Sequence, residues 1–448
     1  MASHMTDLTV GPVRSQLLRF ALPILLSNIL QAFYGMMDLL IVGNFVDSAA
    51  VSAVNIGSQL NNVVNALCFG VCMGSQIVVG QFFGAKRMDG VRRTVGTMLC
   101  VVVIMGVLIP AIFLPLRGPI LNALHTPAEA WAGTAQYTTV TLSGTIFVIG
   151  YHGIACLLRG VGNSRRPLYY IIVATVLNVA LDFLFIGVFH MGAVGAAWAT
   201  IIAQCTACVC ALVYLIRQRE LLDRKSLRIF GKELGLILRV GFPTAIQSLV
   251  LQFAGLYIIG LINPFGVEAS AGAGIASKVE NLTFMPHLAV AGAISAMVAQ
   301  NMGAKKPDRA GSVYRNGLLI NVLYTLVLEA LFQGCPEFII GLFDTTPEVV
   351  RVGALFLRWI GLAMFFGGIT QCGNALANGV GFSLFSMFNS GTSMFLCRIV
   401  LSSILVLVFG CGLTAIFMCV GISCIPPAVV GTIFYLRGRW KNRQLIKT

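Results

Sequence analysis

Long apolar stretches separated by short polar breaks run along the whole chain. A helix of about 20 apolar residues crosses the hydrocarbon core of a bilayer, and runs such as 99–116 lack the alternation of a transmembrane β-strand. The pattern therefore predicts an all-α integral membrane protein. Its twelve transmembrane helices are expected near residues 16–42, 49–80, 93–115, 132–158, 167–189, 193–216, 236–262, 270–299, 313–335, 354–378, 384–409 and 411–436.

Composition agrees with this prediction. Of the 448 residues, 57% are hydrophobic and only 10% are charged, whereas a soluble domain carries about 25% charged residues. The 13 cysteines fall mostly inside apolar runs and form no cluster with metal-ligand spacing, so packing as small apolar residues explains them. A soluble fold is excluded, and neither a metal site nor a cofactor is expected.

The basic residues predict the topology. With the N-terminus in the cytoplasm, 25 of the 30 Lys and Arg residues lie in the cytoplasmic breaks and termini. Because cytoplasmic loops carry the excess of Lys and Arg, we expect a multi-pass protein of the cell (cytoplasmic) membrane with both termini inside. The net charge of +14 is spread over several short loops, which argues against nucleic-acid binding and favours contact with the lipid bilayer.

An internal repeat divides the chain. Residues 81–87 resemble 300–306, and 157–162 resemble 376–381, both in the same register. Six spans per repeat place both copies in the same orientation, related by a pseudo-two-fold axis along the membrane normal, as in some transporters. We expect a cloning scar at 1–4, an N-lobe with spans one to six at 5–216, a cytoplasmic linker at 217–235, and a C-lobe with spans seven to twelve and a basic tail at 236–448.

Two acidic residues inside the spans carry the candidate chemistry. Asp38 shares one helix stripe with Gln31 and Tyr34, and Asp182 lies one turn after Asn178. A buried charge is costly in a membrane, so a proton or Na⁺ would relieve both carboxylates if they meet. Structural pairing and hydrogen bonding between helices are the alternatives.

Further residues could assist or surround this chemistry. Thr200 follows a run of small residues that permits close helix packing, and Pro23 frees a backbone carbonyl and predicts a bend in the first span. Glu280 either has a functional role or belongs to a structural pair. Met37 suits an adaptable apolar pocket, although packing explains it equally well.

No motif for hydrolysis or catalysis is present. The chain lacks a G-x-x-x-x-G-K-[ST] sequence, an H-E-x-x-H sequence and a nucleophile elbow. Transport would therefore draw on an ion gradient, and an intramembrane enzyme is a weak alternative.

Several motifs in order resemble the multidrug and toxic compound extrusion (MATE) family of the MOP flippase superfamily. They are Pro23 and Asp38 in the first span, Gly80-Gln81-x-x-Gly84-Ala85, Arg159-Gly160-x-Gly162-Asn163, Asn178-x-x-x-Asp182 and Gly195-Ala196-Ala197-x-Ala199-Thr200. The resemblance implies a V-shaped pair of six-helix lobes that exports organic cations and drugs by alternating access, in exchange for H⁺ or Na⁺.

The resemblance also implies site residues. Asp38, Asn178, Asp182 and Thr200 match the N-lobe cation site of the DinF-like branch, while Gln31, Tyr34 and Tyr137 match its polar neighbours. We expect a monomer coupled to H⁺, with Na⁺ at the same four residues as the alternative. A lipid-linked oligosaccharide flippase of the same superfamily is the rival transporter, but it usually needs more cationic residues along its cleft than Lys278 and Arg398.

Overall fold

The computed structural model describes residues 5–124 and 126–446, and all regular structure in those ranges is helical. The expected cloning scar at residues 1–4 lies outside the described residues. The helices are α1 Val13–Phe45, α2 Ser48–Gly84, α3 Met88–Ala123, α4 Ala128–Ser143, α5 Thr145–Gly160, α6 Arg165–Asp182, α7 Gly192–Arg217, α8 Gly231–Ile262, α9 Val267–Gly303, α10 Pro307–Gly334, α11 Pro336–Gly341, α12 Pro347–Val380, α13 Ser383–Ser393, α14 Leu413–Ile422 and α15 Ile425–Leu436.

π-helical and 3₁₀ segments complete the helical structure. α6 continues as a π-helix, Phe183–Val188, and α13 continues through two more, Met394–Leu401 and Ile404–Val408. Short 3₁₀ turns occupy Arg224–Ser226, Asn263–Phe265 and Arg439–Asn442. A π-helix changes which side chains share a face, and such insertions are frequent at functional sites.

The prediction of an all-helical membrane protein is confirmed. Eleven helices of the described chain are long and apolar enough to cross a membrane, and α4 with α5 makes a twelfth span bent by 47°. The bend falls at Gly144, where an added Cβ would collide with the side chain of Ile201. Each predicted span overlaps one observed span, and most observed spans extend beyond the predicted bounds.

The chain forms two compact units. Among the described residues, the first comprises 5–7 and 26–245 without 125, and the second comprises 8–25 and 246–446. The helices α1 and α8 each contribute to both units, because the boundary between the units falls after Leu25 in α1 and after Ala245 in α8. The helix α1 runs through Pro23 without interruption. The boundaries of the N-lobe, linker and C-lobe expected from the sequence follow chain order, and they stay a prediction.

Close backbone contacts hold the first unit together. A Cβ on Gly74 of α2 would collide with the carbonyl oxygen of Ile237, in the part of α8 that belongs to this unit. The segment between α7 and α8 also packs here, because the carbonyl of Ser226 lies against Gly96 of α3 and the Phe230 amide donates to Thr97 Oγ1 over 3.2 Å. Small residues at such contacts let helices approach closely.

The second unit has a comparable core. α9 and α12 pack so closely that a Cβ on Gly379 would lie 2.8 Å from the carbonyl oxygen of Ser295. Leu8 is buried against this unit, where its amide donates to Gln300 Oε1 over 3.0 Å and its carbonyl accepts from Asn301 Nδ2 over 3.3 Å. The start of the second repeat motif thus anchors the residues that precede α1.

Candidate functional site

A polar cavity of about 460 Å³ lies within the first unit. It is bounded by α2, α4, α5, α7 and the part of α1 that follows Leu25. Its polar side chains come mainly from α1 and α2: Gln31, Tyr34, Asp38, Asn55, Ser58, Gln59, Asn61, Asn62 and Asn65. Further polar side chains come from α4, α5 and α7: Tyr137, Thr141, Thr145, His152, Thr200 and Gln204. This size and lining suit a small organic ligand.

Asp38 is the acidic residue on the wall of this cavity. Its side chain is 5% exposed, and Thr200 Oγ1 donates to its Oδ2 over 3.2 Å. The second carboxylate oxygen, Oδ1, is buried and accepts no hydrogen bond from the described residues. A carboxylate with one oxygen left open in a low-dielectric site favours a proton or a cation.

Asn178 and Asp182 are fully buried beside Asp38. They lie one turn apart at the end of α6, and both interact electrostatically with Asp38. Neither side chain forms a hydrogen bond of acceptable geometry with the described residues, so both oxygens of Asp182 and the amide of Asn178 are unpaired. The structure thus brings together the four residues expected to bind the coupling cation.

This cluster offers oxygen ligands. Two carboxylates, one amide oxygen and one hydroxyl are the donor types that hard cations prefer, and the same carboxylates can share a proton. No group of three His, Cys, Asp or Glu side chains in the described chain could hold a metal ion. Oxygen ligands of these types suit a proton or a hard cation rather than a soft transition metal.

The expected polar neighbours also line this cavity. Gln31 lies two turns and Tyr34 one turn before Asp38 on α1, and Tyr137 faces them from α4, with its hydroxyl 3.3 Å from Ser58 Oγ. The hydroxyl of Tyr34 is buried without an acceptable partner among the described residues. These groups give the cavity aromatic surface and hydrogen-bonding capacity on either side of Asp38.

Two expected site residues lie elsewhere. Met37 packs against an apolar cluster that includes Ile41 and Val42. Glu280 lines a different cavity, of about 510 Å³, that lies wholly within the second unit and also contains Arg398. Asp38 and Glu280 thus each line a cavity within their own unit.

Sequence reasoning missed the amide-rich wall contributed by α2. Asn55, Ser58, Asn62 and Asn65 recur at spacings of three and four, which places them on one helix face, and Asn61 accepts from Thr141 over 3.2 Å. Such a polar stripe inside a predicted span was the available signal. His152 also lies on this wall.

Comparison with known proteins agrees with the repeat and the fold. The sequence model of the MatE family matches residues 23–184 and again 243–404, one copy in each repeat. The chain is 28% identical over 446 residues to a "Probable multidrug resistance protein NorM" of Thermotoga maritima, covering 98% of this chain and 95% of the relative. It is 27% identical over 439 residues to a "Probable multidrug resistance protein YpnP" of Bacillus subtilis, covering 98% of each.

A solved structure shares the architecture. The crystal structure described as "MATE in the bent conformation" superposes with a TM-score of 0.92 at 20% identity, covering 98% of this chain and 98% of that one. A similarity at this identity establishes the fold, while function depends on the residues of the site.

Proposed function

The chain belongs to the MatE family of membrane transporters, and from that premise we propose that it exports amphipathic organic cations in exchange for protons. The names of its relatives from Thermotoga maritima and Bacillus subtilis refer to multidrug resistance. We assign this chain the same kind of cargo and the alternating-access mode of two transporter repeats. We further propose that it is a DinF-like member of the family that works as a monomer.

The observation that carries the proposal is the cluster at Asp38. Two buried carboxylates adjoin each other, three of their four oxygens lack a hydrogen bond from the described residues, and no Lys or Arg lines the cavity. Because no Lys or Arg on the cavity wall offsets the repulsion between the carboxylates, uptake of one positive charge would stabilise the cluster. A proton satisfies this need with the least geometric demand.

The same cluster could serve a positively charged substrate in turn. Asp38 forms part of the wall, so an organic cation in the cavity would approach the charge that the proton neutralises. Binding of the proton would then weaken binding of the organic cation, and binding of the cation would weaken binding of the proton. Exchange transport requires this reciprocal coupling. Sodium is the alternative coupling ion, since Asn178 and Thr200 can add neutral oxygen ligands.

Movement could pass through α1. Pro23 and Asp38 lie on the same continuous helix, Val13–Phe45, and proline removes one backbone hydrogen bond and creates a place where a helix bends. We propose that protonation of Asp38 and Asp182 relaxes the contacts of this helix and lets it bend at Pro23. The cavity would then narrow and release its cargo.

Counterflow in liposomes tests the proposal. Purified protein is reconstituted in sodium-free vesicles loaded with ethidium, and a pH gradient is imposed across the membrane. Proton-driven exchange predicts that ethidium leaves the vesicles when the outside solution is the more acidic, in the direction opposite to proton entry. No movement under the pH gradient, with full movement after sodium is added, would assign coupling to Na⁺ instead.

The membrane orientation is a separate proposal. We propose that the protein lies in the cytoplasmic membrane with its termini and the segment around Lys225 on the inside, because this arrangement places most basic residues there. Lys225 and Thr345 are both exposed in the structure, so single cysteines can replace either in a cysteine-free background. In intact cells, an impermeant maleimide should label a cysteine at position 345 but not one at position 225. Labelling at position 225 alone would show that the membrane orientation is the reverse of the proposed one.

A further inference from the structure

The cavity of the second unit contains two opposite charges. Its wall comes from α9, α12, the part of α8 after Ala245, and the helical segments between Ser383 and Cys424. Glu280 supplies the acidic group of that wall and Arg398 the basic one. The expected charge of this cavity is therefore zero, although it lies inside a membrane-spanning bundle where each charge is costly.

The two charges do not neutralise each other by direct contact. None of the four ion pairs in the described chain joins Arg398 to Glu280. Their nitrogen and oxygen atoms are therefore more than 4.0 Å apart. The Glu280 carboxylate likewise has no hydrogen-bond donor among the described residues. Both groups are partly exposed to the cavity and interact across it. Separated opposite charges of this kind leave room for a ligand between them.

Arg398 is held in place from one side. Its Nε donates to Ser423 Oγ over 3.0 Å, and the buried Ser423 hydroxyl in turn donates to the carbonyl of Val420 over 2.7 Å. This contact uses the Nε edge of the guanidinium, and the side chain of Cys424 interacts with the same group. A planar guanidinium anchored in this way is suited to bind a carboxylate through two parallel hydrogen bonds.

The backbone around Arg398 is also specialised. Arg398 lies in the π-helical segment Met394–Leu401, and such segments are rare and frequently mark functional sites. The remainder of the wall is largely apolar and includes Phe284, Phe356 and Met364. The cavity therefore combines an apolar body with one fixed cation and one acidic group.

We infer that the second cavity is a binding site for amphipathic zwitterions, whose ammonium group meets Glu280 and whose carboxylate meets Arg398. A ligand with only a positive charge would be attracted by Glu280 and repelled by Arg398. A ligand with only a negative charge would be attracted by Arg398 and repelled by Glu280. A zwitterion satisfies both groups, and its apolar part fills the aromatic wall. The inference extends the proposed export function by adding a substrate class, but binding itself requires no gradient.

Three matched fluorescent probes test this inference. Dansyl-lysine, labelled on its side-chain amine, carries an ammonium and a carboxylate next to an apolar fluorophore. Its methyl ester is only cationic, and its α-N-acetyl derivative is only anionic. Fluorescence titration of purified protein without a gradient should give at least tenfold tighter binding for dansyl-lysine than for either derivative.

Variants assign the preference to the two charges. Arg398→Gln should weaken binding of dansyl-lysine at least tenfold and remove its advantage over the methyl ester. Glu280→Gln should remove its advantage over the acetylated probe. Lys278→Gln is the matched control, because Lys278 is an exposed charge two residues before Glu280 and is not on the wall; its affinities should stay within twofold of the parent.

The outcomes separate this inference from the export proposal. Gel filtration and thermal melting establish that each variant is folded, and Arg398→Lys, which keeps the charge, should retain part of the preference. Equal binding of the three probes, or a preference unchanged in both Arg398→Gln and Glu280→Gln, would overturn the inference. Loss of proton-driven ethidium exchange with the probe preference intact would count against the export proposal alone.

Discussion

The two cavities occupy related positions in the two repeats but differ in charge. In the first, Asp38 and Asp182 adjoin each other, and no Lys or Arg of the described chain lines the wall. In the second, Glu280 and Arg398 face the same space with opposite charges. The wall of the first cavity thus has an acidic group without Lys or Arg, whereas the wall of the second has one group of each charge.

The repeat shows how this difference arose on one scaffold. In the register of the repeated motifs, Glu280 corresponds to Asn61, a neutral amide on the wall of the first cavity. In the register of the prolines that lie inside α1 and α8, buried Ile258 corresponds to Asp38. The acidic Asp38 of the first repeat thus corresponds to the apolar Ile258 in the second. The neutral Asn61 of the first repeat corresponds to the acidic Glu280 in the second. The fold supplies the cavity, and a few side chains decide its chemistry.

The largest expected effect comes from removing the charges of the first cavity. Asp38→Asn and Asp182→Asn should each reduce gradient-driven ethidium export at least tenfold, because the amide keeps the shape of the carboxylate but cannot take up the coupling proton. Glu280→Gln should leave ethidium export near the parent level. Initial rates in proteoliposomes measure all three.

A surface carboxylate provides the control for these substitutions. Asp308 is exposed and pairs with Lys441 over 2.8 Å, so Asp308→Asn makes the same chemical change outside both cavities and should preserve export. Normal export by Asp38→Asn and Asp182→Asn, together with its loss in Glu280→Gln, would move the coupling site to the second unit.

Helix packing should be disrupted in both units when a methyl group is added at a close contact. Gly74→Ala forces a Cβ against the backbone of Ile237, and Gly379→Ala places one 2.7 Å from the side chain of Val298. Overpacking costs about 1–3 kcal/mol. An added Cβ would meet a backbone oxygen at both positions, and the distance to Ile237 at Gly74 is shorter than the 2.8 Å to Ser295 at Gly379, which should make Gly74→Ala the more damaging. Thermal unfolding in detergent gives the order.

Gly391 serves as the comparison for these two glycines. It lies within α13 and an added Cβ would meet no atom within 4 Å. Gly391→Ala should therefore raise stability slightly, by about 0.5–1 kcal/mol, through the better helix propensity of alanine. Destabilisation by Gly391→Ala as large as that of Gly74→Ala would show that helix contacts do not explain the pattern.

The smallest effect should come from the neutral partner of Asp38. Thr200→Val removes the hydroxyl that donates to Asp38 Oδ2 but keeps the side-chain shape. Export should therefore fall about three- to tenfold, which corresponds to the net contribution of one ordinary hydrogen bond, about 0.5–1.5 kcal/mol. Thr200→Ser should retain most of the rate. A Thr200→Val rate as low as that of Asp38→Asn would make the hydroxyl an obligatory ligand, as a sodium site would require.

Local patterns in the sequence were sufficient for the helices, the repeat and the pairing of Asn178 with Asp182. Lipid cannot bond to exposed backbone groups, so long apolar runs have few alternatives to helices. Side chains four residues apart on a helix share a face whatever surrounds them. For that reason the twelve spans and the polar stripe of α1 were predictable before any packing was known.

Packing between distant parts of the chain decided the rest. Only the tertiary structure brings Asp38, Asp182 and Thr200 to one point, lines their cavity with the amides of α2, and places Glu280 with Arg398 in a cavity of its own. It also divides α1 and α8 between the two units. Hydropathy and residue spacing describe one helix at a time, whereas a cavity depends on which helices meet and at what depth their side chains face each other.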